Sequence, residues 1–123
     1  MKIEVSIGEI VDKLSILQIK TELIKDESKL INVKKEYDYL YNIVFNDMKI
    51  QKPDFLELVN VNKKLWVIED DIRDKERSKE FDNVFIELAR AVYVTNDERA
   101  EVKKKINLKY GSEFVEEKSY NPY

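Results

Sequence analysis

Two glycines and two prolines are the only strong backbone breakers in a chain of 123 residues. Inside a helix glycine costs about 1 kcal/mol and proline about 3 kcal/mol relative to alanine. A chain this poor in both has little to stop a helix once one has started. The apolar residues recur with helical rather than strand spacing, and at 43% they suffice for a core. The expected fold is all-α, a compact antiparallel helical bundle of about five helices with an extended C-terminal tail. Residues 1–123 are expected to form a single helical domain, with the tail over 112–123 packed on the bundle.

Local signals place the helices. Ser6 and Glu9 form a capping box, and Val5 and Ile10 flank it as a hydrophobic staple, which predicts a first helix over 7–25. Leu30, Val33, Tyr37, Leu40 and Val44 predict a second over 28–46. Pro53 suits a first helical turn, and the third helix is expected over 53–77. Asp82 caps a fourth over 83–94. Thr95 and Glu98 repeat the capping-box pattern, which predicts a fifth over 96–110, stopped by Gly111. Phe114, Val115, Tyr120 and Tyr123 are apolar anchors for the tail.

Resolved at 100° per residue, the third helix carries Phe55, Leu58, Val61, Leu65, Trp66, Ile68 and Ile72 on one arc. Asp70, Asp71 and Asp74 lie opposite. Glu69, Arg73 and Glu76, with Asn62, fall inside the apolar arc. The first helix has two apolar sides with Asp12 in the second, and Arg99 shares a side with Val102, Ile106 and Tyr110. These positions predict a polar seam of Asp12, Glu69, Arg73, Glu76 and Arg99. The spacing also allows Arg73 simply to pair with Glu69 and Glu76 along its own helix. Trp66 is expected in the core, and Tyr39 on the surface beside a more buried Tyr37 and Tyr41.

Composition narrows the chemistry. Cysteine and histidine are absent, which removes disulfides, thiolate zinc sites and the usual imidazole base. A metal would have to be a hard, oxygen-bound ion. A net charge of −3 lacks the broad basic surface of a nucleic-acid binder. No apolar run reaches the ~18 residues that read as a membrane span, and MKIEVSIGEI lacks a signal-peptide core. A cytoplasmic location is the expectation.

The stretches SIGEIVDKLSILQIK, LWVIEDDIRDKE, FDNVFIELARAVYVTNDERAEVKKKIN and SEFVEEKSY together resemble a family of small uncharacterised helical proteins of bacteria and phages. The resemblance spans nearly the whole length and implies no established activity. It implies polar family positions at Glu9, Asp12, Glu69, Arg73, Glu76, Arg90, Arg99, Asn107 and Lys118, among others. It also implies that the tail belongs to the fold.

Three function classes remain open at this point. One is a binding or accessory module for a protein partner or a small anionic ligand bearing phosphate or carboxylate. Asp12, Glu69, Arg73, Glu76, Arg90, Arg99 and Lys118 are its candidate residues, since guanidinium groups suit bidentate anion recognition. It needs no cofactor. The second is a magnesium-dependent nucleotide pyrophosphohydrolase-like enzyme, with Glu9 and Asp12 as an E-x-x-D pair and Asp70, Asp71 and Asp74 as a second acidic run. The third is a purely structural subunit. Surplus apolar surface on the first two helices further predicts a homo-oligomer, most simply a dimer.

Overall fold

A computed structural model describes residues 1–119 and 121–123. It contains helices α1 (Ile7–Leu23), α2 (Glu27–Asn42), α3 (Lys52–Arg77) and α4 (Asn83–Lys109), and no strand among the described residues. A π-helical turn over Ile43–Asp47 ends α2. Several expected ends are realised by the expected atoms. Ser6 Oγ accepts from the Glu9 amide at 3.3 Å. Asp82 accepts from the Phe85 amide at 3.0 Å. Gly111 closes α4 at φ 68°, and the Ser112 amide returns to the Asn107 carbonyl at 2.8 Å, as in a Schellman stop.

Two expectations are corrected. The fourth and fifth helices are one continuous helix, so the bundle has four α-helices rather than five. Thr95 does not cap anything; it is 1% exposed in the middle of α4. A T-x-x-E pattern caps only where the chain also breaks, and no glycine or proline lies between Asn83 and Lys109. The first helix also ends earlier than expected, at Leu23, because Ile24 is extended and Asp26 starts α2 by accepting from the Ser28 amide.

α1 is the hub. It packs on α2 on one side and on α3 and α4 on the other, which explains its two apolar sides. α3 and α4 run antiparallel, bridged by Asp54–Lys109 at 2.7 Å, Glu57–Lys105 at 2.9 Å and Lys64–Glu98 at 3.3 Å. The core joins Val11 and Leu14 of α1 to Val44, Ile50, Phe55, Leu58, Val59, Val61 and Ile106.

That core stops short of the α3–α4 turn. On α3 the last buried residue is Asn62, and on α4 the first is Thr95; nothing from Lys63 to Val94 is buried. The reason is length. α1 has 17 residues and α3 has 26, or about 26 Å against about 39 Å at 1.5 Å per residue. Beyond Asn62, α1 meets α3 only across an open cleft with Leu65, Trp66, Glu69 and Arg73, and the outer parts of α3 and α4 form a two-helix arm. Phe81, Val84, Ile86 and Tyr93 are exposed on this arm.

The tail contacts α4 through Glu116–Lys103 at 3.3 Å and Glu117–Lys104 at 3.5 Å. Ser112 Oγ accepts from the Ile7 amide at 3.0 Å. Of the expected anchors, Tyr123 packs its ring edge-on to Tyr93 at 5.1 Å; Tyr120 lies outside the described residues.

Candidate functional site

α1 meets α4 through three steps of polar contact, each one helical turn above the last. At the lowest step Gly8 lies so close to α4 that a Cβ there would sit 2.7 Å from the Lys103 carbonyl oxygen. That approach lets the Gly8 amide donate to Asn107 Oδ1 at 2.6 Å. One step up, the Lys103 ammonium, 9% exposed, lies between Glu9 and Glu116. Glu9 is thus drawn to α4 instead of reaching back to complete its capping box.

At the top step Asp12, with a side chain 3% exposed, receives Arg99 in two-pronged fashion. Arg99 Nε donates to Oδ1 at 3.0 Å and Nη2 donates to Oδ2. Asn62 Nδ2 of α3 adds a bond to Asp12 Oδ1 at 2.9 Å and another to Ser15 Oγ at 2.7 Å. The Asp12 hydrogen bonds hold Arg99 above its ordinary pKa. Among the described residues no buried side-chain nitrogen or oxygen lacks a partner, as a low-dielectric polar cluster requires.

Directly above Arg99 a cleft of about 240 Å³ opens between α1 and the root of the arm. Ile16 and Ile19 wall it on α1, Leu65 and Trp66 on α3, and Asn62 and Arg99 lie at its base. Glu69, Asp70 and Arg73 form its rim. Trp66 is thus half-buried on a cleft wall rather than packed in the core. On the other side of Ile16 a shallower groove of about 510 Å³ follows α1 past Asp12, Lys13 and Lys20 toward α2; Lys13 bridges it to Glu36 at 2.7 Å.

The seam expected from the sequence is realised in part. Asp12 and Arg99 are joined, and Glu69 and Arg73 share the cleft with Arg99. Arg73 does not point inward: its side chain is 62% exposed and pairs with Glu69 at 3.1 Å. Glu76 is 59% exposed and pairs with Lys79 at 3.6 Å rather than with Arg73. Asn62, Glu69, Arg73 and Glu76 share one side of α3; α1 closes on it at Asn62 through Ser15 but faces Glu69 and Arg73 only across an open cleft. Arg90 is exposed on the arm. Lys118 lies apart, in a depression with Tyr93, Asn96, Asp97 and Tyr123.

Lys103, Asn107, Asn62 and Ser15 escaped the sequence reading as site residues. The signal was present for two of them: Arg99, Lys103 and Asn107 recur every four residues on one face.

The donor set does not fit a magnesium cage. Glu9 and Asp12 are each held by a cationic side chain, and Asp70, Asp71 and Asp74 are exposed on α3. No group of three or more carboxylates converges on a metal position among the described residues. No described helix is long and apolar enough to cross a membrane.

No curated protein and no solved structure matches the chain. Its residues 1–123 match the family of unknown function DUF6165, and the chain belongs to that family.

Proposed function

We propose that this chain is a helical protein-binding module whose partner covers the α3–α4 arm and inserts an apolar side chain into the cleft at its root. One observation carries the reading: the stretch from Lys63 to Val94 holds no fully buried residue, while Val67, Phe81, Val84, Ile86 and Val94 stand exposed. A concentration of exposed large apolar side chains marks interaction sites. Trp66 is the sort of large, rigid side chain that anchors interfaces, and Arg73 at the rim can meet a carboxylate on the partner.

A free phosphate or carboxylate is the weaker occupant. Arg99 already spends two donors on Asp12, and Arg73 already faces Glu69. Each guanidinium keeps further N–H donors, but its charge is already balanced by a carboxylate, which weakens its pull on an added anion. The pyrophosphohydrolase reading is weaker again, because its E-x-x-D pair is neutralised by Lys103 and Arg99.

The test is the double variant Val67→Gln/Ile86→Gln, at positions 58% and 52% exposed. The tagged full-length chain is purified from its native cells beside the variant. The reading expects a stoichiometric protein with the wild type that the folded variant loses. A wild type that purifies alone as a monomer contradicts it. A second copy of the chain as the bound protein places the working surface between protomers, which sedimentation at several concentrations detects.

A further inference from the structure

After Gly111 the chain turns back along α4. Successive tail residues meet α4 in reverse order: Ser112 bonds to Asn107, Glu116 and Glu117 to Lys103 and Lys104, and Tyr123 stacks on Tyr93. The hold is light. None of the described residues from Glu113 onward is buried. Beyond Ser112 the tail makes no backbone–backbone hydrogen bond among the described residues. Glu117 is 75% exposed and Glu116 47%, so solvent ions screen both pairs.

The surface beneath is the more ordered partner. The Lys103 side chain is 9% exposed and is paired to Glu9 of α1 as well as to Glu116. Lys104 stands beside it, Ala100 leaves a shallow depression one turn up, and Tyr93 presents an aromatic face further along. Two adjacent cations followed by an aromatic platform complement two adjacent acids followed by an aromatic residue. That is the order the tail supplies.

We propose that this flank of α4 is a docking site for an acidic, extended segment of a partner protein, and that the described residues of the tail occupy it in cis and give way to that segment. The inference does not depend on the cleft, and it meets the arm only at Tyr93. A tail held by exposed charges rather than by buried side chains exchanges readily. While it is seated, it lowers the apparent affinity of any competitor by the fraction of molecules in which the site is free.

The probe is a fluorescent peptide of sequence SEFVEEKSYNPY, and the protein is the full chain carrying Glu116→Gln/Glu117→Gln. The proposal expects saturable anisotropy binding, roughly tenfold tighter than to the wild type if the cis tail occupies about nine-tenths of molecules. Binding weakens with added salt, is lost on adding Lys104→Glu, and is absent for a scrambled peptide of the same composition. Limited proteolysis after Gly111 reports whether the variant's tail has been released, and the far-UV spectrum reports that the helices are intact. A released tail on a folded variant that still ignores the peptide overturns the docking site. A tail as protected as in the wild type overturns the ion-pair hold. Equal binding of the scrambled peptide overturns recognition by order.

Discussion

Asp12 and Arg99, 87 residues apart in sequence, form a two-pronged ion pair with the carboxylate 3% and the guanidinium 27% exposed. The asymmetry in exposure decides what each substitution does. Arg99→Ala strands a buried carboxylate whose remaining bond among the described residues comes from Asn62, and stability is expected to fall by about 3–5 kcal/mol. Asp12→Asn keeps an acceptor, and Arg99 can turn toward water at the cleft. Its expected cost is about 1–3 kcal/mol. Denaturant melts of the two variants should rank in that order.

Gly8→Ala tests the close approach of α1 and α4. Its new methyl would meet a backbone carbonyl at 2.7 Å, which cannot swing aside as a side-chain tip would. The two helices must separate and stretch the Gly8–Asn107 bond. A loss of about 1–3 kcal/mol is expected from such overpacking, and a thermal melt that matches the wild type would show that the helices do not touch there.

Arg73→Met separates packing from recognition. The guanidinium is 62% exposed and its partner Glu69 is one turn away, so the pair contributes about 1 kcal/mol or less. The variant should melt almost as the wild type does and lose affinity for any partner whose carboxylate sits at the rim of the cleft. A stability loss of several kcal/mol would place Arg73 inside the fold instead.

Acid sensitivity is expected from Asp54, which is 9% exposed. Hydrogen bonds from Lys109 and then Tyr110 hold its carboxyl below the ordinary value. In the unfolded chain the same group titrates near pH 3.9. Below that pH the unfolded state takes up the proton first, so this contribution is present above the ordinary value and fades as pH falls through the folded one. Asp54→Asn should flatten the decline of melting temperature in that acid window and leave the slope around neutral pH almost unchanged. An unaltered acid limb would mean that other groups control it.

Much of this architecture can be read from local signals, because helix ends are local events. Ser6, Asp82, Pro53 and Gly111 each mark an end through their own backbone chemistry, and the structure puts an end at or beside each. Thr95 misleads because the same short pattern also fits a buried helix interior. The seam is harder, because a helical wheel says which residues share a side and not how far the neighbouring helix extends along it. Glu69, Arg73 and Glu76 do lie on one side of α3, yet α1 faces the first two only across an open cleft. Lys103 and Asn107 pose the reverse problem: they are polar residues on a face whose partners, Glu9, Glu116 and Gly8, are about a hundred positions away or lie in the tail.

The account turns on the arm being uncovered within the chain. The most direct measurement is the free energy of unfolding of Val67→Gln/Ile86→Gln by urea titration. If these side chains face water and await a partner, the change should stay within about 0.5 kcal/mol per site, as for ordinary surface positions. A loss of about 2 kcal/mol or more, the scale of a buried aliphatic residue, would mean that the chain covers its own arm and would contradict the account.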